Sequence, residues 1–334
     1  PTVPTPNSSA MVSAHDTGQS DTCGRQLAGF ALNVHHSDNY QTFLDAIDEL
    51  AGLGFNSLEV TTPCFQTNGA SDDIRVVVGP GHSPSRAHLR HVLRHARHRG
   101  LTTLLMPIVL FTQPRGNEWR GKIHPEDWSG WWESYRCMID DFLDIAVETD
   151  VEIFCVGSEL LSTERQSDRW RKLIAHVRQR FKGRLLYSTN WDHYQVPLFW
   201  DDLDMIGING YWDLTAGSGT DEPSPEHLTQ RWRKVRADVL AFAGWRDRPI
   251  LFTEIGYPSL PWALKNPWNY VPGTDQIQAD VVSQARGYAA FLSAWDGLLH
   301  PPQSAATAQG PMGDRRLEGV FFYEWDVYHK GGPR

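Results

Sequence analysis

Short apolar runs alternate with longer amphipathic segments along most of the chain. The runs are rich in β-branched and aromatic residues, which favour strands, and the segments between them repeat apolar residues at helical spacing. Such alternation is typical of a parallel sheet with helices packed against it. Strands are predicted at about 29–33, 57–61, 103–109, 185–190, 205–209 and 319–325, and two more end at Glu159 and Glu254.

Helices are predicted at about 39–53, 84–99, 128–149, 167–181, 225–243 and 275–299, and a short helical piece precedes the sixth strand. Eight strands that alternate with helices predict an α/β fold of the (β/α)8 type, a TIM barrel. Nine residues follow Trp325, which is too few for an eighth helix of normal length. We therefore expect the barrel to lack its last helix in this chain.

The beginning of the chain differs in composition from the rest. Residues 1–24 are rich in proline, threonine and serine and predict a disordered tail or linker, whereas residues 25–334 are predicted to form a single barrel domain. Such a tail often follows a removed export signal or a lipid anchor, so we expect an exported protein that is extracellular, periplasmic or surface-anchored. No run of about 18 apolar residues occurs, so no membrane span is expected.

The net charge and the spacing of the cysteines argue against nucleic-acid binding and against a metal site. The net charge of −9 argues against nucleic acid as a partner, and the basic run 86–99 has apolar residues at helical spacing, as on the wet face of a helix. The four cysteines have no metal-binding spacing, and pairing of Cys23 with Cys64 is left open. Adjacent His35 and His36 would face opposite sides of a strand, which argues against a shared metal. No metal and no cofactor are expected, and we expect a monomer.

The most informative residues are two glutamates at strand ends. Glu159 ends the fourth predicted strand and Glu254 the seventh, and a parallel barrel directs such positions into one shared cup. Hydrolysis of a glycosidic bond needs two carboxyl groups in this kind of arrangement. Each glutamate alone would equally fit a helix N-terminus. The pair, at these two strands, favours a glycosidase.

Neutral and aromatic residues occupy the other strand ends and the loops beside them. The candidates for sugar contacts are Asn33, Gln66, Trp119, Arg120, Asn190, Trp191, Asn209, Tyr211 and Trp325. Amide groups and aromatic faces suit a neutral polyol, and the sequence offers no phosphate-binding loop. The 14 tryptophans point the same way, although several should lie in the core. For Trp119 and Arg120, packing of the third loop is an almost equally good interpretation.

Several segments together resemble glycoside hydrolase family 113, within clan A of retaining (β/α)8 glycosidases. The matching segments are 119–123, 156–160, 187–192, 199–208 and 251–257. The resemblance implies an endo-β-1,4-mannanase with Glu159 as acid/base and Glu254 as nucleophile, whose carboxyl groups would lie about 5 to 5.5 Å apart. It further implies that Tyr211 donates a hydrogen bond to Glu254 and that Trp325 forms the floor of the −1 subsite. Most of clan A has asparagine where this chain has Ser158.

Three alternatives remain open from the sequence. The same chemistry would serve another β-glycan, or an exo-acting β-mannosidase. A barrel that only binds carbohydrate is disfavoured because both glutamates are present. The expected partner in every case is a polysaccharide or oligosaccharide.

Overall fold

The structure is a computed structural model that describes residues 26–35, 39–220, 222–271, 277–299 and 316–327. The predicted tail, Cys23 and His36 lie outside the described residues, as does the end of the chain where an eighth helix was considered. Cys64 is buried, and its thiol donates to the carbonyl of Ile108 at 3.1 Å. Its pairing with Cys23 therefore remains open.

Eight parallel strands close into a barrel, as the sequence predicts. The strands are β1 (Leu27–Asn33), β2 (Ser57–Gln66), β3 (Ile74–Arg75), β4 (Thr102–Phe111), β5 (Ile153–Ser158), β6 (Arg184–Asn190), β7 (Met205–Asn209), β8 (Ile250–Ile255) and β9 (Leu317–Phe322). The strand β1 pairs in parallel with both β2 and β9, which closes the sheet, and the two-residue β3 is an antiparallel extension of β2. The fourth and seventh strands of the barrel are thus β5 and β8.

Helices cover the outside of the barrel. They are α1 (Gln41–Gly52), α2 (Arg86–His98), α3 (Trp128–Glu148), α4 (Ser167–Arg180), α5 (Pro225–Arg246) and α6 (Val281–Leu299). A short 3₁₀ turn, Trp200–Asp202, takes the place of a helix between β6 and β7. The helix α6 begins at Val281, later than predicted, because the carboxylate of Asp280 accepts from the Ser283 amide and caps its start. The part of the chain described here has no helix long and apolar enough to cross a membrane.

One strand is longer than its sequence pattern suggests. Prediction ended β2 at Thr61, but the strand pairs with β4 over ten residues, up to Gln66. Pairing with β1 stops at Thr61 and pairing with β3 begins at Phe65, so one edge of β2 has no strand partner among the described residues at 62–64 and accommodates Pro63, which has no amide hydrogen. Gln66 therefore lies on a strand and not in a long loop.

The core has two layers. Apolar side chains such as Leu104, Met106 and Phe321 fill the inside of the barrel, and a larger layer lies between the sheet and the helices. Toward the carboxyl ends of the strands the interior becomes polar, with Ser188, Asn209 and Thr253 all fully buried. The barrel thus provides a dry, polar floor at the end where active sites of this fold lie.

Candidate active site

Glu254 lies near the end of β8 with 8% of its surface exposed. Its Oε2 accepts a hydrogen bond from the hydroxyl of Tyr211, and its Oε1 accepts one from the amide of Asn209 at 3.0 Å. The predicted hydrogen bond from Tyr211 to Glu254 is therefore present. Two donors fix both oxygen atoms of one carboxylate, as an attacking group requires.

The side-chain amide of Asn209 is itself held in one orientation by two neighbouring hydroxyl groups. Its Oδ1 accepts hydrogen bonds from the hydroxyls of Ser188 and Thr253, each at 2.8 Å. Because the oxygen is held by two donors, the NH₂ group must point at Glu254. Neither Ser188 nor Thr253 was identified as a site residue from the sequence, since buried hydroxyls on strands are common.

Glu159 follows directly after β5 and is 7% exposed. Its φ of 53° lies in the left-handed region, which is uncommon for a residue other than glycine and carries strain. Its Oε2 lies 2.5 Å from Nη2 of Arg120, which reaches in from the loop after β4. Arg120 is therefore a partner of Glu159, and packing of the loop alone does not describe it.

The surroundings of Glu254 disfavour its ionised form. Burial, followed by the negative charge of Glu159, raises the pKa of Glu254 to about 8, although Tyr211 and Arg120 act in the opposite direction. Glu254 is therefore harder to ionise than an ordinary glutamate, and the hydrogen bonds from Tyr211 and Asn209 stabilise the carboxylate that can attack.

Tyr211→Phe is expected to move the acidic limb of the pH profile of kcat/KM to higher pH. The lost hydrogen bond favoured ionised Glu254, so its removal raises the pKa of Glu254 further and lowers the reactive fraction at a given pH. A hydrogen bond to a charged group contributes about 1.5–3 kcal/mol, which corresponds to a loss of roughly 10- to 100-fold in kcat/KM. Tyr135→Phe, which loses a buried bond to the Val156 carbonyl, is the control. An unshifted limb in Tyr211→Phe would contradict this role of the tyrosine.

Trp325 is placed differently from the prediction. The strand β9 ends at Phe322, and the ring of Trp325 packs edge-on against Phe30 at 5.1 Å, in the layer outside the barrel. Tyr323, two residues earlier, faces the site instead, with its ring 6.4 Å from that of Tyr211 and its hydroxyl within the field of Glu254. Phe321 points into the barrel and Tyr323 follows on the same side, whereas Trp325 lies three residues past the end of β9, where strand alternation no longer sets the direction of a side chain.

Asn33 connects the first strand to the last. Its amide donates to the hydroxyl of Tyr323 at 3.1 Å and to the carboxylate of Glu324. Glu324 is thus a third acid near the pair, and its charge contributes to the raised pKa of Glu254. Neither Tyr323 nor Glu324 was identified as a site residue from the sequence.

The amide of Gln66, at the end of β2, binds the loop that follows the strand and the helix α3. Its NH₂ group donates to the carbonyls of Asn68 and Ser71, each at 2.7 Å, and its oxygen accepts from the indole of Trp131 at 3.0 Å. The side chain is 1% exposed. The structure therefore gives Gln66 a role in holding the loop, in place of the predicted sugar contact.

The other candidates lie on loops at the same end of the barrel. The ring of Trp119 packs so closely on Gly121 that a methyl group there would meet it at 2.5 Å. The ring centroids of Trp191 and Trp212 are 6.2 Å apart, and Asn190 ends β6 half-buried beside them. The described residues contain no cluster of three or more histidine, cysteine, aspartate or glutamate side chains suited to a metal ion.

Comparison with known proteins identifies the family. The sequence profile of Glycoside Hydrolase Family 113 matches residues 35–297, which is more than half of the chain. The chain belongs to glycoside hydrolase family 113. It is a glycoside hydrolase with a carbohydrate substrate, as the resemblance of its motifs indicates.

Solved structures agree with this family and this fold. The family 113 β-mannanase from Alicyclobacillus acidocaldarius, in complex with ManMIm, is 25% identical over 91% of this chain and 88% of that one, with a TM-score of 0.72. A complex of a family 113 β-1,4-mannanase is 23% identical over 91% and 90%, with a TM-score of 0.71. A family 5 mannosidase from Rhizomucor miehei, 12% identical over 90% and 81% with a TM-score of 0.56, shares the fold. A search of curated protein sequences finds no match.

Proposed function

We propose that this family 113 enzyme is a retaining, endo-acting β-1,4-mannanase. The observation that carries the proposal is the way Glu254 is held, with Tyr211 and Asn209 on its two oxygens, in the electrostatic field of Glu159. Two buried acids, one held by two neutral donors and the other paired with the cation of Arg120, fit a double displacement. The proposed substrate is supported by the two family 113 structures described above, both of which are β-mannanases.

The reaction would proceed in two displacements. Glu254 attacks the anomeric carbon while Glu159 gives its proton to the glycosidic oxygen, so that the leaving sugar departs as an alcohol and an ester to Glu254 remains. Glu159 then takes a proton from water, which attacks the same carbon and releases Glu254 as a carboxylate. Both steps invert the anomeric carbon, so the product keeps the β configuration.

Arg120 supports the second displacement. Its Nη2 lies 2.5 Å from Oε2 of Glu159 and stabilises the carboxylate that acts as base. Glu159 thus serves as acid in the first step and as base in the second.

Tyr323 takes the role in the −1 subsite that the sequence assigned to Trp325. Tyr323→Ala is expected to lower kcat/KM by roughly tenfold or more on short and long substrates alike, because every productive complex fills that subsite. Trp325→Ala is expected to lower the melting temperature, since Trp325 packs on Phe30, with little change in kcat/KM. Kinetics on mannotriose-type and polymeric substrates check both variants. The opposite pattern would restore Trp325 as the floor of the subsite.

A panel of β-linked polysaccharides tests the proposed function. Rapid loss of mannan viscosity relative to the release of reducing ends would support endo action, and NMR should show the β-anomer as the first product. Cleavage of a β-glucan in preference to mannan would transfer the same chemistry to another substrate. Release of single mannose units without loss of viscosity would indicate an exo-acting β-mannosidase, and a first product of α configuration would exclude retention.

A further inference from the structure

A fully buried carboxylate anchors the segment that follows Glu159. Glu164 is 0% exposed and follows the 3₁₀ turn Leu161–Thr163, five residues beyond the acid/base. A buried acid needs strong compensation, since its charge loses the hydration it has in water. The proposed reaction gives this glutamate no chemical step.

Three donors from β6 and the loop after it surround Glu164. Its Oε1 accepts from the hydroxyls of Tyr187 and Thr189, each at 3.0 Å, and its Oε2 accepts from Nδ1 of His193 at 3.1 Å. Burial raises the pKa of Glu164, and the bonds from His193 and Tyr187 oppose that rise. The carboxyl group therefore ties the Glu159 segment to β6 with all of its oxygens.

The same hydroxyl of Tyr187 connects Glu164 to the backbone of the acid/base. It accepts a hydrogen bond from the Leu160 amide at 2.9 Å while it donates to Glu164. The amide of Glu159 donates to the Ser188 carbonyl at 2.8 Å. Both peptide groups that flank the α-carbon of Glu159 are thus held by β6, which fixes the left-handed conformation with φ of 53°.

We propose that Glu164, acting through Tyr187, is a positioning residue for the acid/base Glu159; the inference rests on the role that the proposed function gives Glu159. A side chain leaves the backbone in a direction set by φ and ψ, so release of the Leu160 amide would let the Glu159 carboxyl turn away from the glycosidic oxygen. Glu254 has its own supports, Tyr211 and Asn209, and keeps its place. Loss of this support should therefore slow proton donation by Glu159 and leave nucleophilic attack by Glu254 unchanged.

Substrates with different leaving groups separate these two effects. Unactivated manno-oligosaccharides need a proton on the leaving oxygen, whereas a 2,4-dinitrophenyl β-mannoside leaves without one. The parameter to compare is kcat/KM, since it reports the steps up to formation of the glycosyl-enzyme. Tyr187→Phe and Glu164→Met are expected to lose about 10- to 100-fold on the oligosaccharide, on the scale of a 1 Å misplacement, and less than about threefold on the dinitrophenyl glycoside.

Two further variants make the comparison specific. Glu164→Gln should stay close to wild type on both substrates, because its carbonyl still accepts from Tyr187 and Thr189 and its NH₂ can donate to the other tautomer of His193. Tyr257→Phe is the matched control, since it removes a buried hydroxyl that accepts from the Trp232 indole elsewhere in the barrel. Its loss should be equal on the two substrates.

Equal losses on both substrates in Tyr187→Phe would overturn the inference. If Glu164→Met does not fold, Tyr187→Phe decides alone, because it removes a single oxygen atom. A wild-type enzyme inactive on both mannosides would instead refute the proposed function, an outcome that is visible before any variant is made.

Discussion

Replacement of Glu254 by alanine is expected to lower kcat on mannan by ~10⁴-fold or more, the scale on which loss of a covalent nucleophile acts. Without this carboxylate no glycosyl-enzyme forms, and water has no base on that side of the sugar. Added azide should enter the space vacated by Glu254 and attack an activated β-mannoside directly. The product should be an α-mannosyl azide, which NMR distinguishes from the β form.

A matched control is the exposed carboxylate of Glu126, before α3. Glu126→Ala removes one negative charge and should retain wild-type kcat. Circular dichroism of Glu254→Ala should match the wild type, because the carboxylate is buried against two donors and not used to hold the barrel together. Activity of Glu254→Ala within tenfold of wild type would exclude it as the nucleophile.

The effect of Glu159→Ala on kcat/KM is expected to depend on the leaving group of the substrate. On mannan, loss of the proton donor should lower kcat/KM by ~10²- to 10⁴-fold, the usual contribution of general acid catalysis. On a dinitrophenyl β-mannoside, kcat/KM should stay close to wild type, because that leaving group departs as an anion. On the same dinitrophenyl substrate kcat should fall, because no base activates water for hydrolysis of the ester to Glu254, and this ester accumulates.

Azide again identifies the missing group. Because azide needs no base, it should raise kcat of Glu159→Ala and yield a β-mannosyl azide, the opposite configuration from the product of Glu254→Ala. Arg120→Met is an informative companion, as it leaves Glu159 in place and removes the cation beside it. No azide product in Glu159→Ala, or the same anomer from both variants, would remove the assignment of the two acids.

The barrel and its two acids could be predicted from the sequence because they depend on local patterns. Apolar runs of strand length that end in a carboxylate are visible at Glu159 and Glu254 without knowledge of the neighbours. The partner Tyr211 was accessible for a similar reason, since the strand that carries it precedes the strand of Glu254. In a closed parallel barrel, consecutive strands are adjacent.

The remaining site residues depend on where a strand stops and on what surrounds it. Trp325 was predicted to end the eighth strand, whereas that strand stops at Phe322 and the ring of Trp325 packs on Phe30. Gln66 was assigned to a loop because the extra pairing of β2 with β4 has no local signal. Glu164 was not considered at all, since three donors that lie 23 to 29 residues away determine its environment.

The two acids stand at the ends of strands, as do Asn190 and Asn209, whereas Trp119, Arg120 and Trp191 stand outside the strands. The separation of the acids is therefore inherited from the pairing of β5, β6, β7 and β8, and insertions or exchanges in the loops leave it unchanged. Changes in the loops can accordingly alter which substrates such a barrel accepts while the reaction that the two acids catalyse stays the same. Arg120 and Tyr211 limit that freedom, because each lies outside a strand and still contacts an acid, so a transplanted loop would have to bring its own cation or hydroxyl donor.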